Sequence, residues 1–294
     1  MGVPNSLLET SIVMLSAALI VLGFFFGTPL LRVLRKTYGA RVFWFSGFVL
    51  ATVLWFTIPP LFVLVGSIWM TLGIYMELES KGARWTVSGL VGVMIGALFF
   101  AAATAIHLSN SGIHTLAAAE GLVKEFSDKL YEANPQLHLD AGLLVQLIPS
   151  SVFTILIVSL GNGLIFEKRV FNWLKIPREK TASQLNLLEF RLPDFFVWIA
   201  MGAFLLTMVN FNLKALEILG LNIVNVMTVL YFFQGLAILE VSLRALKAGA
   251  FLRAGVYIIL VGQLLPLVSA IGLIDYWVDF RKRIHNLRTA PKKN

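Results

Sequence analysis

Seven stretches of this chain contain no Asp, Glu, Lys or Arg: 10–31, 42–76, 85–119, 141–166, 195–213, 218–239 and 254–274. A helix rises about 1.5 Å per residue and the hydrocarbon core of a bilayer is about 30 Å thick, so about 20 apolar residues suffice to cross it. Lipid offers no hydrogen bonds to exposed backbone, which leaves helices or a closed barrel. Continuous apolar runs without strict alternation exclude the barrel. The expected fold class is all-α: a polytopic transmembrane helical bundle forming a single integral membrane domain over residues 1–294.

The run 42–76 would measure about 52 Å as one helix, too long for a bilayer. Pro59-Pro60 divides it, because two proline rings remove two donors and push the preceding residue out of the helical region. About eight helices are expected, at 8–30, 42–58, 60–77, 85–107, 142–166, 194–212, 220–243 and 252–277.

Basic residues orient these helices. With eight crossings, loops 31–41, 78–84, 167–193 and 244–253 share one side and hold fifteen Lys and Arg, which makes that side cytoplasmic. The opposite loops hold three, yet the C-terminal tail on their side adds Arg281, Lys282, Arg283, Arg288, Lys292 and Lys293. Either the tail is extracytoplasmic despite its charge, or the last apolar segment bends at Pro266 and does not cross. The spanning length of 254–274 favours crossing. Before the first run the only charged side chain is Glu9, with Arg32, Arg35, Lys36 and Arg41 behind it. That is the reverse of a signal peptide, so a retained first helix with its N-terminus outside is expected. The same topology accounts for the net charge of +8 without nucleic acid. The absence of cysteine removes thiolate nucleophiles, disulfides, iron–sulfur clusters and Cys-ligated zinc.

One polar stretch, 108–141, lies on the less basic side. Leu116, Ala119, Val123, Phe126 and Leu130 recur there at steps of three and four, so it reads as an amphipathic extracytoplasmic helix ended by Asn134-Pro135. It lies either on the bilayer or bundle surface, or as a lid over a cavity between helices.

Catalytic signatures are missing: there is no HExxH, GxGD, GxSxG or GxxxxGK[ST], and His107, His114, His138 and His285 lack ligand spacing. No enzymatic activity, cofactor or metal is expected. Small residues Ser88, Gly92 and Gly96, followed by Ala97, Ala101 and Ala105, mark close helix approach, and Gly47 and Ala51 repeat the pattern. They serve packing within the bundle or docking onto a membrane-protein partner. Polar side chains inside apolar runs need hydrogen-bond partners in lipid. Asn210, Asn212, Asn222 and Asn225 cluster near the turn between the sixth and seventh helices, with Gln146 opening the fifth on the same side. They either line an outward pocket for a small polar molecule or satisfy one another and the turn backbone. Gln234, Glu240 and Gln263 are suited to pairing between helices. Asp275 and Asp279 share a helical face; a cation site and an Asp279–Arg283 ion pair are the two readings.

Three pieces, RLPDFFVWI at 191–199, NIVNVMTVLYFFQGLAILEVSL at 222–243 and GLIDYWVDFRKR at 272–283, resemble the YybS-like family of bacterial membrane proteins. That family is similar to the substrate-binding S components of energy-coupling-factor transporters. The resemblance implies a six-helix core made of helices two to seven, with loops 108–141 and 209–220 bordering a substrate pocket. It also implies a face carrying Gly47 and Ala51 toward a coupling partner. The expected function is a multi-pass protein of the bacterial inner membrane that binds or helps transport a small organic solute. The alternative is a scaffold or assembly factor that binds other membrane proteins.

Overall fold

The computed structural model describes residues 5–133, 140–175, 190–209 and 211–289. Asn210, His138, Pro177, Asn134-Pro135, Lys292 and Lys293 lie outside the described residues. Among the described residues the regular structure is helical: α1 (Asn5–Thr57), α2 (Pro59–Ser80), α3 (Trp85–Asn110), α4 (Leu116–Ala133), α5 (Ala141–Trp173), α6 (Phe195–Met208), α7 (Lys214–Ala245), α8 (Ala250–Gln263), α9 (Leu265–Val278) and α10 (Phe280–Thr289). Gly27–Thr57, Pro59–Ser80, Trp85–Asn110, Gly142–Trp173 and Lys214–Ala245 are long and apolar enough to cross a bilayer, and α6 and α9 are shorter apolar helices. The protein is an all-α, polytopic helical membrane protein.

Three departures of helix boundaries from the sequence expectation have a local reason, while α5 also runs on past 166 to Trp173. Residues 31–41 are helical rather than a loop, interrupted only at Gly39, whose φ of 84° and ψ of 178° suit glycine. Arg and Lys are good helix formers, so positive charge alone does not end a helix. The expected helix 194–212 stops at Met208 and the next starts at Lys214, with Asn212 at φ 55° in the turn between them. Asparagine tolerates that left-handed conformation. The expected helix 252–277 is broken at Leu264, just ahead of Pro266 in the first turn of α9.

The chain divides into two compact units, Met1–Leu137 with Ile155–Gln184 and His138–Thr154 with Leu185–Asn294, so α5 contributes to both. In the first unit α2 packs along α3 and against α1. Its buried side chains include Leu61, Val65, Ile68, Leu72 and Tyr75. The α1–α2 turn closes on Leu54, Leu61 and Val65, backed by Leu50, Ile58 and Phe62. In the second unit α7 is the central helix, flanked by α6 and α9. Gly220 lets α6 approach at Ala203 and Leu206, while Gly235 and Gly272 bring the backbones of α7 and α9 into contact. A β-carbon on Gly272 would overlap the carbonyl of Tyr231. Glu240 ties α8 to the end of α7, accepting hydrogen bonds from Arg244 Nε and Tyr257 Oη at 2.7 Å each.

Candidate functional site

The asparagine cluster divides in the structure. Pro149 interrupts α5, since it has no N–H to give to the preceding turn. The Asn222 carboxamide lies between Gln146 O and Ser150 N–H, two groups that an undistorted helix pairs directly. Ser150 N–H donates to Asn222 Oδ1 at 2.9 Å, and Asn222 Nδ2 donates to Gln146 O at 2.8 Å and to Ile218 O at 2.9 Å. Asn225 Nδ2 donates to Ser150 Oγ at 3.0 Å. The polar groups of Asn222 are therefore engaged with backbone, and Gln146 joins the cluster through its carbonyl. Asn212 sits elsewhere in the same unit, at the α6–α7 turn, where a cavity of about 420 Å³ is lined by Thr207, Val209, Phe211, Asn212, Lys214 and Glu217. Lys214 and Glu217 are exposed, and neither is ion-paired among the described residues. Asn210 lies outside the described residues.

The small residues meet neighbours within the first unit. Ser88, Gly92 and Gly96 are buried. A β-carbon on Gly92 would come within 2.9 Å of Thr71 O, and one on Gly96 within 2.9 Å of Ser67 O, so α3 lies on α2 through these positions. Gly47 faces the indole of Trp69. Ala51 lines a groove with Trp44, Gly47, Trp55, Phe62 and Phe99.

The most concentrated charge lies where sequence reasoning placed only topology signals. Arg32 is 1% exposed, Glu167 2% and Glu79 7%, so this is a buried network. Arg32 Nε donates to Glu167 Oε2 at 2.7 Å, and Arg32 Nη2 donates to Glu79 Oε2 at 3.0 Å. Lys36 Nζ donates to Glu167 Oε1 at 2.7 Å. The Arg32 guanidinium lies 5.2 Å from the centre of the Tyr75 ring. Two cations meet two carboxylates, and the four carboxylate oxygens are all engaged. Such a network adds no net charge for a ligand to answer; it ties α1, α2 and α5 together. The break at Gly39 adds a second tie. Arg35 and Trp44 are separated by nine positions, about 13.5 Å along an ideal helix, yet both donate to Glu77 Oε1, at 2.7 and 3.2 Å. The signal in the sequence was the acids: Glu77, Glu79 and Glu167 stand at helix ends on the side otherwise dominated by Lys and Arg.

A second polar knot lies in the other unit. Gln234, 2% exposed, accepts from Leu192 N–H at 3.0 Å and donates to Gly272 O at 3.0 Å. Asp275 accepts from Phe280 N–H at 2.9 Å, capping α10, and lies 3.9 Å from Arg281 Nε. Arg281 Nη2 donates to Phe190 O at 2.6 Å. Asp275 thus turns inward to this knot, away from the shared face with Asp279 that a cation site needs. Arg281 and Phe190 are in contact, so the start of the tail lies with the segment that enters α6. The last apolar segment, expected as one helix over 252–277, is broken at Leu264 into two 14-residue helices, and the start of the tail sits beside Phe190. The three pieces that carry the family resemblance, at 191–199, 222–243 and 272–283, meet at this knot.

No curated protein and no solved structure matches the chain. A family model described as "Predicted membrane protein (DUF2232)" matches residues 6–276, nearly the full length, and the chain belongs to that family of membrane proteins.

Proposed function

We propose that this protein of the bacterial cytoplasmic membrane binds a small organic solute at the α6–α7 turn and helps move it, without catalysing a reaction on it. One observation carries the reading: the cavity of about 420 Å³ that places Asn212 beside Lys214 and Glu217. A few convergent polar groups in a concave site of this size suit a small molecule. An ammonium and a carboxylate that are unpaired among the described residues, three positions apart on the first turn of α7, favour a solute that carries both charge signs. The resemblance to S components, which implies that residues 209–220 of this chain border a substrate pocket, supports the same reading.

Native mass spectrometry of the protein, gently extracted from its own membrane, tests it. The expected result is a bound small molecule that the Lys214→Ala/Glu217→Ala variant loses while keeping its helical circular dichroism. Retention of the molecule by that variant refutes the site. A stoichiometric protein partner with no small molecule replaces solute binding with the scaffold function.

A further inference from the structure

The first unit carries a groove of about 420 Å³ formed by the part of α1 after Gly39 together with α2 and α3. Its walls are aromatic, with Trp44, Trp55, Phe62 and Phe99 among them, and Phe48 and Phe56 at its rim are 71% and 80% exposed. Gly47 and Gly66 give the groove its depth, since a β-carbon on either would run into the rings of Trp69 and Phe99. Along α1 the lining extends from Trp44 to Phe56. The twelve steps along the helix from Trp44 to Phe56 measure about 18 Å, close to one leaflet of a core about 30 Å thick. This is the reach of a single lipid chain.

The two ends of the groove differ in charge. At the Trp44 end, Arg41 stands one helical turn before Trp44, and Lys81 stands one turn beyond Glu77, which Trp44 contacts. Arg84 follows in the short α2–α3 turn. All three cations are exposed and none is ion-paired among the described residues, whereas Arg32, Arg35 and Lys36 are all paired to glutamates. At the other end stand Trp55, Phe56 and Phe62, with no charged residue among the lining. An apolar slot one leaflet long that opens at an uncompensated cationic mouth complements an amphiphile with an anionic head.

We propose that this groove seats one chain of an anionic phospholipid, with the phosphate head held by Arg41, Lys81 and Arg84. The site is separate from the cavity at the α6–α7 turn and does not depend on it. An indole at Trp44, at the level of the basic residues, is also where an aromatic side chain marks the membrane–water boundary.

The test is lipid retention by the full-length protein, reconstituted in bilayers of equal phosphatidylglycerol and phosphatidylcholine, then released into the mass spectrometer. The wild type should retain one phosphatidylglycerol in preference to phosphatidylcholine by at least about tenfold. The Arg41→Gln/Lys81→Gln/Arg84→Gln variant, altered only at exposed positions, should lose that preference while keeping its helical content. Thr52→Trp, which fills the groove from an exposed lining position, should lower occupancy by either lipid by about tenfold, and Thr52→Val should not. Equal retention of the two lipids by the wild type overturns the proposal. So does phosphatidylglycerol preference that survives the triple substitution, which needs no change to the fold and is decisive even where Thr52→Trp disturbs packing.

Discussion

Asn222 shows where a polar residue in a membrane helix directs its hydrogen bonds. Its carboxamide is oriented by three backbone groups, two of them on either side of the Pro149 interruption in α5. Asn222→Ala leaves the Ser150 N–H and the Gln146 carbonyl without this partner, at a cost of about 1–3 kcal/mol in unfolding free energy. Asn222→Asp retains an acceptor for Ser150 but sets a carboxylate oxygen against the carbonyls of Gln146 and Ile218, so it should lose at least as much. Chemical unfolding in detergent reads both, and wild-type stability in Asn222→Ala would mean that the bridge does not hold α5. The need for a partner was visible from hydropathy, because any amide inside an apolar run must be satisfied. Which partner it takes was not. That depended on Pro149 lying opposite Asn222 across seventy-odd positions of chain, a coincidence that only the fold supplies. Asn212 behaved differently because it sits in a turn, where its left-handed backbone angle leaves the side chain beside the α6–α7 cavity.

The ties between helices were least visible from composition, since Lys and Arg at the end of an apolar run look alike whether they face water or a buried carboxylate. Arg32 and Lys36 are one turn apart and both reach Glu167, yet Arg32 is 1% exposed and Lys36 21%. Removing a buried partner strands the opposite charge, so Arg32→Ala should destabilise the protein by about 3–5 kcal/mol. Lys36→Ala, at a half-buried position and with Glu167 still bonded to Arg32, should cost less, about 1 kcal/mol. Thermal or chemical unfolding of the two variants side by side checks this, and near-equal losses would refute the buried clamp. Helix existence was legible because lipid demands long charge-free runs, and the Pro59-Pro60 break was legible because proline ends a helix by itself. The Gly39 break was not, since an isolated glycine is tolerated inside helices. Its positive φ follows from the need to bring Arg35 and Trp44 to one carboxylate, a demand made by α2 rather than by α1. The stop at Leu264 lies between: Pro266 marks a bend, while the spanning length of the run points to one continuous helix.

Membrane orientation follows from where that bend sends the chain. Counting Lys and Arg gives a basic side and leaves one contradiction, the cationic tail, as long as residues 252–277 cross. The hydrogen bond from Arg281 to Phe190 argues against the crossing, because two residues in contact cannot lie on opposite faces of a bilayer. A tail on the same side as Phe190 keeps its charge beside Arg191, as the positive-inside rule expects. The chain contains no cysteine, so single cysteines introduced by substitution report sidedness against a silent background. Arg191→Cys and Lys282→Cys should react with a membrane-impermeant maleimide in inside-out vesicles and be protected in right-side-out ones. Lys214→Cys, at the α6–α7 turn, should show the reverse. Agreement between positions 191 and 282 establishes that the last apolar segment returns, and their common side tests the positive-inside assignment independently. If position 282 instead labels with position 214, the segment crosses and the Arg281–Phe190 contact is absent from the membrane-embedded protein.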